Sequence, residues 1–155
     1  MMPSVQAADF NYTFSGKVDS GSLLNETYTG SFSYSDLSLT NSGDESINLL
    51  TMSFNFLSNS FDLIDDVTAT ADFLDGLFLS VNFSVSSFDP SFALISGSGT
   101  GLVNDATFAY SPLDGDSGYG SISFQQSNNV DAPASIALLG LGLAGMSLMR
   151  RRVNG

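Results

Sequence analysis

The sequence contains no cysteine, no histidine and no tryptophan among its 155 residues. Without cysteine the chain can form no disulfide framework, and it has no thiolate nucleophile. Without histidine it lacks any Ser–His pairing, and zinc sites that depend on Cys or His are excluded. Because the side chains that enzymes use most often are missing, we expect a protein that is not an enzyme and has no catalytic residues.

Positive charge is also scarce. The chain has 4 basic and 16 acidic residues, and three of the basic ones are Arg150, Arg151 and Arg152. Residues 1–130 hold only Lys17 against 15 acidic residues, so the body carries a charge of about −14. Such a field repels nucleic acid and anionic lipid headgroups. We therefore expect no nucleic-acid partner.

Most of the body alternates apolar with polar residues. A period of two places each apolar set on one face of a strand, with Ser, Thr and Asn on the other face. Turn-forming stretches such as "NSGDES", "SGSGTG" and "LDGDSG" separate the segments. The pattern predicts one all-β domain at residues 9–126, an antiparallel β-sandwich or barrel. The apolar sets are Phe10, Tyr12, Phe14 and Val18; Leu50, Met52, Phe54 and Phe56; Val67, Ala69, Ala71 and Phe73; Leu77, Leu79, Val81, Phe83 and Val85; and Ile122 with Phe124.

Two acidic stretches are the candidate cation sites. "DGDSG" places Asp114 and Asp116 in one tight turn, and hard oxygen ligands of this kind suit Ca²⁺. An Asp-Gly hairpin turn explains the same letters without a metal. "DLIDD", with Asp62, Asp65 and Asp66, either joins such a site or is a solvated acidic cluster. Ca²⁺ is therefore the one cofactor that the sequence leaves open.

The C-terminal segment Ala134–Met149 has only Ser135 and Ser147 as polar residues. As a helix it is about 24 Å long, enough to cross a bilayer core of about 30 Å if the membrane thins and the arginines snorkel. Pro133 suits the first helical turn, and Arg150–Arg152 form a membrane stop that keeps the C-terminus cytoplasmic. A buried core helix is the alternative, but a helix apolar all round needs helical partners that this strand-rich sequence does not predict.

This tail resembles the PEP-CTERM sorting domain. The three elements of that domain are a Pro-containing motif, an apolar helix and a basic cluster, represented here by "DAPAS", "IALLGLGLAGMSLM" and "RRR". Asp131-Ala132-Pro133 is a variant that stands where the family has Pro-Glu-Pro. The resemblance implies that an exosortase-type enzyme in the inner membrane of Gram-negative bacteria cuts near the motif. It also implies delivery of the substrate to the cell surface or the exopolysaccharide matrix.

The two ends complete the predicted organisation. Val5 and Ala7 match the small-x-small pattern of a signal-peptidase cut, so we interpret residues 1–8 as a remnant of a signal peptide; a ragged cytosolic N-terminus is the alternative. Residues 127–133 are the linker and sorting motif, 134–149 the transmembrane helix and 150–155 the basic cytoplasmic tail. The sequence favours an exported, non-catalytic surface or matrix protein. The alternatives are an anchored Ca²⁺- or polysaccharide-binding module, and a permanently anchored inner-membrane protein with a periplasmic β-domain.

Overall fold

The computed structural model describes residues 8–97 and 106–127. Alternation produces the strands as the sequence predicts: in one of them Met52, Phe54 and Phe56 are buried while the polar residues between them are exposed. The all-β class is confirmed for the described residues. The ten strands are β1 (Asp9–Val18), β2 (Thr27–Ser35), β3 (Asp44–Asn48), β4 (Thr51–Phe56), β5 (Asn59–Asp62), β6 (Thr70–Leu74), β7 (Leu77–Val85), β8 (Ser91–Ile95), β9 (Thr107–Ser111) and β10 (Gly118–Ser127).

All neighbouring strands are antiparallel, in the order β3-β6-β7-β8-β9-β10-β1-β2-β4-β5. The sheet curls, so that one half faces the other across an aromatic core. Rings from the two halves meet there: the centroids of Tyr28 and Phe108 are 4.3 Å apart, and those of Phe54 and Phe92 are 4.8 Å apart. Strands β1 and β10 are neighbours, with Asn11 opposite Ser127. The two ends of the described chain therefore lie side by side.

Two glycines on β1 and β2 make room for aromatic rings on the opposite strand. Gly30 lies opposite Phe14, and Gly16 lies opposite Tyr28. A Cβ atom added at either glycine would fall well under 3.0 Å from the opposing ring. An aromatic ring laid over an opposing glycine covers backbone that would otherwise be poorly packed. These pairs let large rings fill the core without forcing the strands apart.

The strict alternation predicted for the apolar sets is wrong at three positions. Leu50, Val67 and Leu77 are exposed, at 52%, 82% and 55%. Leu50 and Val67 lie outside the strands, where the period of two no longer applies. Leu77 begins β7, and the register of β6 with β7 shifts between Asp72 and Phe73. The extra residue of this bulge reverses the faces, so that Phe78 points into the core in place of Leu77.

The elements predicted for the tail lie outside the described residues. These are the sorting motif 131–133, the helix 134–149 and the arginine cluster 150–152, together with residues 1–7 of the signal remnant. Among residues 8–97 and 106–127, no helix has the length and apolar character needed to cross a bilayer. The helical structure found there is one 3-10 turn, Asp36–Ser38.

Candidate functional site

The loop between β9 and β10 contains the predicted cation ligands. Asp114 and Asp116 are both exposed there. The backbone carbonyl of Asp116 accepts hydrogen bonds from the N–H (3.1 Å) and the hydroxyl (3.0 Å) of Ser22, which hold this loop against the β1–β2 connection. The described part of the chain contains no group of three or more acidic side chains that could hold a metal ion. The calcium site stays a prediction that rests on these two aspartates.

The second acidic stretch caps a turn between β5 and β6. One carboxylate oxygen of Asp66 accepts from the Thr68 N–H (3.0 Å) and hydroxyl (2.7 Å), and the other accepts from the Ser84 N–H (2.8 Å). Asp62 and Asp65 likewise accept from backbone N–H groups of the same turn. Partial burial opposes ionisation of Asp66, but the hydrogen bonds from Thr68 and Ser84 outweigh it and lower its pKa. This cluster stabilises a turn.

Apart from these two acidic stretches, the carboxylate of Asp72 joins three strands on the surface of the sheet. It accepts hydrogen bonds from Ser46 on β3 (2.8 Å), from Thr70 on β6 (3.1 Å), and from Asn82 on β7 and Ser96 after β8. A carboxylate with four donors has little capacity left for a ligand. We assign Asp72 a structural role.

A cavity lined by aromatic rings was not predicted from the sequence. It opens at the end of the sheet where β1 begins and β2 ends, and has a volume of about 350 Å³. Its size lies within the range of small-molecule sites, which are mainly apolar with a few polar groups. We call it the aromatic cleft. Its walls are Phe10, Tyr12, Tyr34, Phe73 and Phe78, and its rim is Asp36, Leu39, Asn41, Gly76 and Leu77.

The rings of the aromatic cleft take two orientations. Phe10 and Tyr34 stack at 5.4 Å with planes 14° apart, and Tyr12 stacks on Phe78 at 4.8 Å. Phe73 stands across this stack, at 75° to Tyr34 and 67° to Phe78. Phe10 and Tyr12 are half-buried, whereas the other three rings are buried. The cleft therefore has a corner of nearly perpendicular rings, with two partly open to solvent.

A short loop ties the rim together. The Gly43 N–H donates to the Asp75 carboxylate (2.8 Å), and the Asp75 N–H donates to the Gly43 carbonyl (2.9 Å). Asn41 packs directly over Gly76, so that a side chain at position 76 would collide with it. Hydrogen bonds from the N–H and then the hydroxyl of Thr40 lower the pKa of Glu45. These contacts join the loop before β3 to the β6–β7 turn and shape one side of the opening.

The mouth of the aromatic cleft is negatively charged. Asp36 lines it directly, while Asp9 and Asp75 adjoin the lining residues Phe10 and Gly76. Burial, a hydrogen bond with Tyr12 and the nearby Asp36 carboxylate all raise the pKa of Tyr34. The Tyr34 phenol is therefore neutral, and the negative charge of Asp36 is one of the reasons that it stays protonated.

The basic side chain of the described residues is distant from this mouth. Lys17, the one cation of the described residues, lies seven positions beyond Phe10 on β1, about 23 Å away at the rise of a strand.

Sequence reasoning missed the aromatic cleft because each ring is also a normal core residue of its strand. Phe10 and Tyr12 come from β1, Tyr34 from β2, and Phe73 and Phe78 from the β6–β7 hairpin. Only the long-range pairing brings them to one end of the sheet. The available signal was Asp9 and Asp36, charged residues placed beside aromatic strand ends.

No family model, curated protein or solved structure matches the chain.

Proposed function

We propose that the chain is an exported, non-catalytic surface or matrix protein whose C-terminal membrane anchor is removed by an exosortase-type enzyme. The observation that carries this proposal is the order of three elements within about 25 residues: Asp131-Ala132-Pro133, the apolar segment and Arg150–Arg152. The domain that this tail carries is, in our proposal, a β-sandwich whose layers are the two halves of the curled sheet.

Charge distribution supports the proposed orientation. A cluster of Arg next to an apolar segment favours the cytoplasmic side, whereas acidic residues have little influence on topology. The body offers Lys17 alone as a competing positive charge. Orientation is then set by Arg150–Arg152, with the C-terminus inside and the acidic domain outside.

The end of β10 lies only a few residues before the sorting motif, and the polar segment between them is the part of the chain that a processing enzyme would reach. Pro133 lies six positions beyond Ser127, the last residue of β10. A chain of six residues reaches at most about 20 Å. The pole of the domain that holds the β1–β10 pair is therefore close to the membrane segment in this proposal, and the polar stretch "QQSNNVDA" contains the cleavage region.

Intact-mass measurement in the native host tests the proposal. We expect the surface or matrix fraction to contain a form that lacks Arg150–Arg152, and Pro133→Ala to leave the full-length form in the inner membrane. Pro112→Ala, in the β9–β10 loop, is the matched control and should be processed normally. A surface form that still carries Arg152 would contradict processing, and an uncut form confined to the inner membrane would favour permanent anchoring.

A second candidate function is a binding module carried by the same anchor. The specific observation in its favour is the aromatic cleft, a cavity of about 350 Å³ with apolar walls and an acidic mouth. Clefts with these properties are where small ligands usually bind. This candidate predicts a ligand at the membrane-proximal pole and is independent of whether the tail is removed.

A further inference from the structure

We propose that the aromatic cleft binds a small organic cation through a quaternary ammonium group. The proposal builds on the binding-module candidate and names the chemical class of its ligand. It is independent of processing, because every residue involved lies between Asp9 and Phe78.

The walls supply the attraction that such a cation needs. The face of an aromatic ring carries partial negative charge, and a cation within about 6 Å of the ring centre is attracted to it. Quaternary ammonium groups are typically held by several rings, because their positive charge is spread over methyl groups that also favour apolar contact. Phe73 stands at 75° to Tyr34 and at 67° to Phe78, and Phe10 and Tyr12 are only half-buried. A methylated cation in the aromatic cleft would contact the two half-buried rings, Phe10 and Tyr12.

The mouth supplies the charge complement. Asp36 lines the aromatic cleft, and Asp9 and Asp75 flank its lining residues. Asp36 is thus the carboxylate at the opening itself, and a mouth that carries one sign of charge raises the local concentration of the opposite ion.

The same arrangement disfavours the other ligand classes. An anion would meet Asp36 at the rim and find no basic group among the lining residues. A neutral sugar is bound mainly through paired donors and acceptors, but only Tyr12, Tyr34, Asp36 and Asn41 of the lining residues carry polar side-chain groups. A net charge of −12 adds long-range attraction for cations over all other classes.

Proton NMR with tetramethylammonium as the probe tests the proposal on the full-length chain, purified in a nonionic detergent. Ring currents should move the methyl signal of the bound cation upfield. We expect tetramethylammonium to bind at least about tenfold more tightly than tert-butanol, its neutral analogue of similar shape. Equal binding of the two probes would overturn the cation class while leaving a binding module, and binding of neither would overturn both.

Matched variants locate the site. Tyr12→Leu should weaken tetramethylammonium binding about fivefold, the effect of removing one ring, whereas Tyr119→Leu, an exposed tyrosine of β10, should leave it unchanged. Asp36→Asn keeps the shape of the rim and should weaken binding most at low salt. Equal effects of Tyr12→Leu and Tyr119→Leu would contradict the assignment.

A further arm of the experiment distinguishes the source of the ammonium group. Vesicles of phosphatidylcholine carry the same headgroup chemistry, and vesicles of phosphatidylglycerol do not. Competition with tetramethylammonium by the former alone assigns the ligand to a lipid headgroup. Competition by neither assigns it to a free molecule.

Discussion

Gly30 shows how far a single residue controls this sheet. It pairs with Phe14 of β1 and Phe54 of β4, and the ring of Phe14 occupies the space that its side chain would need. A new Cβ would also meet the backbone carbonyl of Ser53, which cannot move without breaking the ladder. The position therefore requires glycine for space, on an extended strand where glycine is otherwise unfavourable.

Gly30→Ala should destabilise the protein by about 1–3 kcal/mol, because an atom added to a close-packed site displaces its neighbours. Urea unfolding followed by circular dichroism measures the change. Ser31→Ala, on the exposed face of the same strand, is the control and should change stability by less than about 0.5 kcal/mol. Similar stability of the two variants would show that the site has room to relax.

Asp66 is a second residue whose hydrogen bonds lead to a testable prediction, here on how stability depends on pH. Its folded-state pKa is lowered, so the folded protein binds fewer protons at this group than the unfolded chain, where Asp titrates near about 3.9. The stability that it contributes is present above that pH and is lost as the pH falls through the folded-state pKa. At pH 7, Asp66→Asn should cost about 1 kcal/mol or less, since the carboxylate is partly exposed and screened.

The difference in unfolding free energy between wild type and Asp66→Asn should shrink as the pH falls below about 4. Urea unfolding at a series of pH values measures it. Ser31→Ala, which changes an exposed side chain that does not titrate, provides the comparison and should show a difference that does not vary with pH. A difference for Asp66→Asn that does not vary with pH would contradict the hydrogen-bond explanation of its lowered pKa.

The β6–β7 hairpin is the element in which sequence pattern and structure diverge. Alternation from Leu77 to Val85 predicts one inward set, and Val81, Phe83 and Val85 are indeed buried. The bulge before them reverses the faces at the start of the strand, so that Phe78 is 9% exposed and Leu77 is 55% exposed. A bulge depends on the partner strand, whose register cannot be read from the sequence of β7 alone.

The bulge predicts a large loss of stability for one of two adjacent substitutions and a small loss for the other. Phe78→Ala removes a ring packed against Tyr12, Phe32 and Phe124 and should cost about 3–5 kcal/mol of unfolding free energy. Leu77→Ala should cost less than about 1 kcal/mol, because its side chain is mainly in water. Chemical unfolding measures the two losses of unfolding free energy. A larger loss for Leu77→Ala would contradict the reversal of faces and support the strict alternation that the sequence predicts.

For the molecule as a whole, the composition and the period of two were enough to predict the all-β class. They were not enough to predict the order of the strands in the sheet. Strands such as β4 follow local alternation, which one segment of sequence contains in full. The order of strands depends on pairings such as β1 with β10, whose residues are more than 100 positions apart. The aromatic cleft also depends on that order. The sequence alone therefore identifies its five rings as core residues of separate strands, and does not show that they are neighbours.

The side-by-side position of β1 and β10 has a mechanical consequence. The first residues of the domain and Ser127 leave from one pole, at the open end of a single antiparallel ladder. Tension applied between these two ends peels that ladder one bond at a time instead of shearing many at once. In the anchored form that we propose, the tail alone carries the load, so no tension acts between these two ends. The aromatic cleft would then face the support, and the loop with Asp114 would face away from it.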